Sequence, residues 1–249
     1  QVLVQHPRWQ HADLSSWRIA CSGGASVPES LIRAIQARGV PMLQGYSLTE
    51  ASAAATNLPR QDAQTKIGSA GLPVIHGDSA VIREDGTFCE SGEVGEIVIR
   101  GPQLMTGYWN NPDASTRALQ NGWLHTGDMG VLDEDGYLKV VDRAKDMLIS
   151  GGLNVYPAEI ERLLTGLDGV TELTVIGVPH QRWGETPMVI VNTGGRELTA
   201  EQVMAACRGR LADYKLPRYL LLRDEPLPRG MSGKVLKRQL RDEYATLPA

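Results

Sequence analysis

The chain has 249 residues, 42% hydrophobic and 22% charged, and its 25 basic and 29 acidic residues leave a net charge of −4. That length, against roughly 100–200 residues for a typical domain, leaves one large domain or two smaller ones open, with enough apolar material for a core in either case. Interleaved charges exclude the basic footprint of a nucleic-acid binder, and no apolar run reaches the roughly 18–20 residues that span a bilayer.

In chain order, Trp17 to Cys21 reads as a short apolar strand. Ser22-Gly23-Gly24-Ala25 then turns into a helix with Ser26 and Glu29 in capping-box spacing and an apolar side at Leu31, Ile32 and Ile35. Pro41 to Leu43 begins a second buried strand that leads to Gly45. This is an α/β unit, and open α/β sheets bind ligands beyond the carboxyl ends of their strands, where Gly23-Gly24 and Gly45 both stand. From about residue 66 to 142 short strands alternate with turn signals at Glu84-Asp85-Gly86 and Asp133-Glu134-Asp135-Gly136, which predicts an all-β module, a small barrel or sandwich. After Lys145, Ser150-Gly151-Gly152 reads as a flexible turn and Pro157 opens a helix through Leu164. Val170 to Val178 and Met188 to Val191 read as strands. Thr199 and Gln202 cap a helix to about Leu211, Tyr219 to Leu222 is a strand, and Val235 to Tyr244 a terminal helix. The predicted class is therefore α/β plus α+β in three parts: residues 1–65 from an α/β sheet, a β-barrel subdomain over 66–142, and a C-terminal α+β domain over 143–249.

Several short stretches carry chemistry. In Gly45-Tyr46-Ser47-Leu48-Thr49-Glu50, Thr49 offers a hydroxyl to a phosphate and Glu50 the hard oxygens that magnesium prefers, while Gly45 permits close backbone approach and Tyr46 a flat face for a purine. Taken alone, the hexapeptide reads first as a surface turn ending a strand. In His125-Thr126-Gly127-Asp128 one carboxylate can accept from both cis hydroxyls of a ribose. Arg143, in Asp142-Arg143-Ala144-Lys145-Asp146, is either a second contact to that nucleotide or an ion-pair partner of a neighbouring aspartate. Lys234, in Arg229-Gly230-Met231-Ser232-Gly233-Lys234, sits in a glycine-containing loop that lacks Walker spacing and suits an ammonium that meets developing negative charge. Lys234, Lys237, Arg238 and Arg241 form a basic cluster whose simplest reading is a solvated helix face. Cys21, Cys89 and Cys207 lie too far apart for a metal knuckle, and the histidines show no ligand spacing. A reducing, cytoplasmic location is expected. The start at Gln1-Val2-Leu3 lacks a signal-peptide pattern and suggests a chain cut from something longer.

Together, and in this order, these stretches resemble the adenylate-forming superfamily: acyl-CoA synthetases, adenylation domains of peptide synthetases, and luciferases. The resemblance implies an ATP-dependent ligase, with Mg2+ as cofactor and CoA as co-substrate, that converts a carboxylic acid to an acyl-adenylate and passes the acyl group to CoA. By position it implies that Gly24, Ala25, Gly45, Tyr46 and Ser47 frame adenine, Thr49 contacts phosphate, Glu50 holds magnesium, and Asp128 and Arg143 hold ribose. Lys234 would orient the carboxylate and α-phosphate. The C-terminal domain would be mobile, turning about Lys145 to bring Gly151, Gly152 and Trp183 to the pantetheine of CoA. Asp142 replaces a common glycine and Gly230 a common threonine, and the family's phosphate loop has no counterpart in 1–249. The piece is therefore expected to be inactive by itself. An adenylation domain loading a carrier protein, and a nucleotide- or acyl-AMP-binding module without activity, are the alternatives. A homodimer is one assembly open to it.

Overall fold

A computed structural model of the chain describes residues 2–24, 27–230 and 233–245. They form two compact units, Gln1–Val141 and Asp142–Ala249.

In the first unit a short helix, α1 (Val2–Gln5), precedes strand β1 (Ala20–Ser22), helix α2 (Glu29–Gln36) and strand β2 (Met42–Tyr46). β1 and β2 are parallel, with Ala20 opposite Met42 and Ser22 opposite Gln44, so this is the expected strand–helix–strand crossover. β1 is shorter than its apolar sequence suggests. Trp17 and Ile19 are 40% and 43% exposed, and pairing starts only where the Ala20 amide donates to the Pro41 carbonyl. α2 starts at Glu29 behind Pro28 and buries Ile32; the expected capping residue Ser26 lies outside the described residues. Strands β3 (Thr56–Asn57) and β4 (Leu72–Pro73) complete a four-stranded sheet in the order β1-β2-β3-β4.

The second sheet contains β5 (Asp78–Ile82), β6 (Gly95–Arg100), β7 (Leu119–Gln120), β8 (Trp123–Leu132) and β9 (Leu138–Arg143). Its order is β5-β6-β8-β7, with β9 also on β8, an open half-barrel. It encloses Val81, Ile97, Ile99, Leu124 and Leu138, alternate residues of their strands, together with Tyr46, Ala51 and Ala55. One helix interrupts the expected all-β stretch: α3 (Pro112–Ala118), whose Asn111 side chain accepts from the Ala114 amide while Pro112 occupies the first turn. A bridge between Gly71 and Leu138 stitches the two sheets together.

The second unit contains β10 (Leu148–Ser150), β11 (Leu153–Val155), α4 (Pro157–Leu164), β12 (Glu172–His180), β13 (Gly184–Asn192), α5 (Ala200–Cys207), β14 (Tyr219–Arg223) and α6 (Lys237–Glu243). Its sheet runs β11-β10-β13-β12, with β14 parallel to β13. Neighbouring residues on a strand face opposite ways, so Val175, Val189 and Val191 pack with Ile160, Leu164, Val203 and Cys207, whereas Ile176, Ile190 and Met188 pack with Leu227 and Leu240. Both faces are covered, which is why these strands are apolar runs rather than alternations. The Thr199–Gln202 capping box forms as expected. α5 ends at Cys207 rather than near Leu211 because Arg208 turns to extended backbone and Gly209 to φ 73°. α6 begins two residues late because Val235 is bridged to Arg229.

Candidate functional site

In the first unit a cleft of about 340 Å3 opens at the carboxyl ends of β1 and β2, lined by Cys21, Ser22, Gly23, Gly45, Tyr46, Ser47, Ala53, Thr56 and Asn57 among others. Its volume is at the low end of small-molecule sites, which span roughly 300–1,000 Å3. Three of the sequence-derived candidates, Gly45, Tyr46 and Ser47, are on this wall. Gly24 follows it with φ +81°, and Ala25 lies outside the described residues. Gly45 is required by packing as well as by access: a Cβ there would stand 2.7 Å from Asn57 Oδ1 and 3.0 Å from the Thr56 carbonyl.

The fold joins two motifs that are 82 positions apart, for the Tyr46 hydroxyl donates to Asp128 Oδ2 at 2.6 Å. Tyr46 is only 9% exposed, so most of its ring belongs to the core, and its hydroxyl is oriented by the aspartate. Asp128 reaches this place through an irregularity in β8. Met129 pairs with Glu96 and His125 with Val98, so the three residues Thr126, Gly127 and Asp128 stand opposite Ile97 alone. Gly127 takes the left-handed turn at φ 67°. Glu96 clamps the bulge from the facing strand, accepting the Gly127 amide at 2.9 Å on one oxygen and meeting His125 Nδ1 at 2.9 Å with the other. The Thr126 hydroxyl donates to the Ile97 carbonyl at 2.7 Å and accepts from the Asp128 amide at 3.1 Å. The histidine and threonine of this motif thus hold the aspartate in place, a role that sequence reasoning gave neither to them nor to Glu96.

Thr49 and Glu50 lie in a single 3-10 turn, Thr49–Ala51, followed by left-handed Ser52 and Ala53 at φ 50° and 59°. The alanine-rich stretch after this turn forms no helix: Ala51 and Ala55 are core residues, and Ala53 lines the cleft. Glu50 Oε1 accepts from the Tyr108 hydroxyl at 2.9 Å, a partner that sequence reasoning missed. Burial, then this carboxylate, raises the Tyr108 pKa and so keeps the phenol a donor. Among the described residues no three His, Cys, Asp or Glu side chains cluster for a metal. A single carboxylate beside a hydroxyl suits magnesium, which keeps waters and takes its remaining ligands from phosphates.

In the second unit Arg143 and Lys145 are exposed at the start and middle of a turn in which Ala144–Asp146 is 3-10. Asp142 is a helix cap: its Oδ2 accepts the Ala158 amide of α4 at 2.8 Å, where Tyr156 provides no cap of its own. Burial raises its pKa, against the opposing pull of the Ala158 amide and the Lys237 charge. Gly151 and Gly152, at φ 60° and 82°, make the two-residue turn of an ordered β10–β11 hairpin. The fold brings Trp183 onto it. The Gly151 amide donates to the Trp183 carbonyl at 2.9 Å, and a Cβ on Gly151 would stand 2.6 Å from the indole.

Lys234 is exposed near the tip of a small hairpin closed by the Gly230 amide on the Lys234 carbonyl at 2.9 Å and by Arg229 on the Gly233 carbonyl at 2.6 Å. Met231 and Ser232 lie outside the described residues. Arg229 also pairs with Glu172 at 2.9 Å, and Glu172 accepts the Leu227 amide at 2.7 Å. Burial raises the Glu172 pKa, but those two donors outweigh it and hold the carboxyl below its usual value. A depressed folded pKa stabilises above the unfolded value of roughly 4.3 and is lost as pH falls through the folded one. Glu172→Gln is therefore expected to cost about 1 kcal/mol at neutral pH, discounted for the half-exposed Arg229. Denaturant unfolding of both proteins should show the difference closing below about pH 4.

The profile of the family described as AMP-binding enzyme matches residues 1–109, and that of the AMP-binding enzyme C-terminal domain matches 159–234. The long-chain-fatty-acid–CoA ligase FadD13 of Mycobacterium tuberculosis is 45% identical over 245 residues, which are 98% of this chain and 48% of that protein. A feruloyl-CoA synthase from an Amycolatopsis species is also 45% identical, over 98% of this chain and 50% of its own length. Among solved structures, O-succinylbenzoate coenzyme A synthetase (MenE) from Bacillus subtilis, in complex with ATP and magnesium ion, superposes with a TM-score of 0.87 at 36% identity, covering 97% of this chain and 49% of that one. The chain spans about half the length of the curated relatives it matches. With a matching profile on each unit and a shared fold, the chain belongs to the AMP-binding, adenylate-forming enzyme family, and the curated relatives it matches are named for CoA thioester synthesis.

Proposed function

We propose that this chain serves an AMP-forming acid–thiol ligase. A carboxylate oxygen attacks the α-phosphorus of ATP and the α–β anhydride breaks, leaving acyl-adenylate and pyrophosphate. The sulfur of CoA, its proton lost, then attacks the acyl carbon, the C–O bond to AMP breaks, and the thioester leaves. The observation that carries this reading is the Tyr46–Asp128 hydrogen bond beside the cleft, because it unites an adenine-framing wall with a carboxylate that can accept from a sugar.

In this reading Gly24, Ala25, Gly45, Tyr46 and Ser47 frame adenine, Asp128 and Arg143 accept and donate to ribose, and Thr49 donates to phosphate. Glu50 would hold magnesium, whose charge neutralises the phosphates; Tyr108 keeps that carboxylate oriented. Lys234 supplies a point cation for the charge that gathers on the α-phosphate, an electrostatic role. Residues 1–65, 66–142 and 143–249 act as the α/β part, the β-barrel part and the mobile C-terminal domain, with Lys145 as the hinge and Gly151, Gly152 and Trp183 toward pantetheine. The relatives named for fatty and aromatic acids support an apolar acyl or aryl acid as substrate. A cytoplasmic location and a homodimer belong to the same proposal; no described helix is long and apolar enough to cross a membrane.

The test is ATP–pyrophosphate exchange with aliphatic, aromatic and dicarboxylic acids, followed by mass detection of CoA thioesters. It is run on the 249-residue chain and on the full product of its reading frame. Acid-dependent exchange and a thioester are expected from the full product, with little exchange from residues 1–249 alone. Transfer to a carrier-protein thiol but not to CoA would overturn the ligase assignment.

A further inference from the structure

The basic cluster of the terminal helix is not a uniform solvated face. Lys237 and Arg241, one turn apart on α6, reach two different acidic anchors within the second unit. Lys237 Nζ meets Glu161 Oε1 at 2.9 Å, and the two side chains are only 16% and 25% exposed. Glu161 is itself fixed, accepting the Val175 amide at 2.8 Å and the Thr174 hydroxyl at 3.1 Å. Arg241 Nη2 meets Asp146 Oδ1 at 3.1 Å, where Asp146 is 12% exposed, and its Nη1 donates to the carbonyl of Lys145 at 3.4 Å. Between them Leu240 is fully buried against Ile176, Val178 and Ile190. α6 also begins three residues after Lys234. One rigid helix therefore connects the lysine hairpin to the 144–146 turn.

We propose that Arg241 is a positioning residue that sets the backbone of the Lys145 turn, so that the terminal helix governs which half-reaction the turn's conformation serves. This rests on the ligase reading for its second clause only. The first clause is a statement about the turn itself. A guanidinium that engages both a side chain and a main-chain carbonyl restrains two points of one short turn, which a lysine's point charge on a flexible stem does less well. Freed of this restraint, the turn opens more often on its own, because exposed backbone with few packed contacts has a low local unfolding cost.

The experiment compares wild type, Arg241→Ala, Arg241→Lys and Asp146→Asn in the full product of the reading frame, each first checked for an unchanged unfolding midpoint. Limited trypsin digestion, followed by mass spectrometry, reads cleavage of the Lys145–Asp146 bond, whose carbonyl Arg241 holds. The expected result is cleavage about 5- to 10-fold faster in Arg241→Ala, with Arg241→Lys between it and wild type; Asp146→Asn, which also removes an acidic residue beside the scissile bond, is read through the half-reaction ratio instead. The ratio of adenylate formation to thioester formation from supplied acyl-adenylate should shift by about 5-fold in the same order. Should Arg241→Ala lower the midpoint, Arg241→Lys decides the cleavage and Asp146→Asn the ratio, since both keep the helix intact. Unchanged cleavage overturns the proposal outright, and faster cleavage with an unchanged ratio overturns its second clause. A wild type without acid-dependent exchange would instead sink the ligase reading, and cleavage would still decide whether Arg241 sets the turn.

Discussion

Lys234→Ala is expected to lower adenylate formation about 10^2- to 10^3-fold, the usual cost of deleting one positioned donor for transition-state charge, while thioester formation from a supplied acyl-adenylate changes far less. The reasoning starts from the hairpin. Its closing bonds use the main chain of Gly230, Gly233 and Lys234 and the guanidinium of Arg229, all of which an alanine leaves in place. The Lys234 side chain is exposed, so truncating it opens no cavity. A structural role would lower the unfolding midpoint and both half-reactions together. A catalytic one would leave the midpoint unmoved and separate the two rates. In the first half-reaction a carboxylate and a phosphate approach each other, and an ammonium offsets their repulsion as bond order transfers at phosphorus. In the second the nucleophile is a thiol and the leaving group is already AMP, so the same cation has less charge to meet. Single-turnover measurement of pyrophosphate release, set beside thiolation of synthetic acyl-adenylate, checks the split. An equal loss in both steps would remove Lys234 from its assigned role.

Much of the fold was legible because local chemistry and packing agree. Pro157 marks the first turn of α4, and Thr199 with Gln202 forms the box that starts α5. The continuous apolar runs of β12 and β13 are explained by helices on both faces of their sheet. α3 is hidden although Asn111-Pro112 is a helix-start signal, because it lies in a stretch dominated by strand and turn patterns. The apolar sequence makes strand β1 look longer than it is, because Trp17 and Ile19 are apolar and an apolar residue near the surface carries no mark of its exposure.

The site was legible as residue types and illegible as partnerships. Nothing within Gly45–Glu50 says that Tyr46 will meet Asp128, since that contact depends on a bulge in β8 and on Glu96 across the sheet. Asp142 shows the converse. It departs from the glycine common at that place, and the structure gives it a purpose, for its carboxylate caps α4. The basic cluster likewise divides only in three dimensions: Lys237 and Arg241 are spent on Glu161 and Asp146, while Lys234 extends from a loop.

Gly71→Ala is expected to destabilise the first unit by about 4 kcal/mol or more, at the limit of what single substitutions do. Gly71 has φ +91°, and a Cβ there would fall 2.0 Å from the carbonyl carbon and oxygen of Asn57 and 2.1 Å from the amide nitrogen of Leu58. All three are main-chain atoms, so no rotamer change relieves the overlap and a strand has to move. Movement is costly on both sides of the glycine. Its carbonyl accepts the Leu138 amide at 2.9 Å, which ties the first sheet to the half-barrel, and its amide donates to Ser69 Oγ at 2.9 Å. Asn57 in turn pairs with Gly45, and Thr56 with Tyr46. A displaced β3 therefore presses on the cleft wall, and loss of stability should come with weaker nucleotide binding. Gly86→Ala is the control, with a similar φ of +83° and nothing within 4 Å of the added carbon; it carries only the backbone strain, about 1 kcal/mol. Chemical denaturation of the two variants separates close approach from conformational strain. If Gly71→Ala loses no more than Gly86→Ala, the main chain of Gly71 does not approach β3 this closely, and the registration of the cleft wall must have another cause.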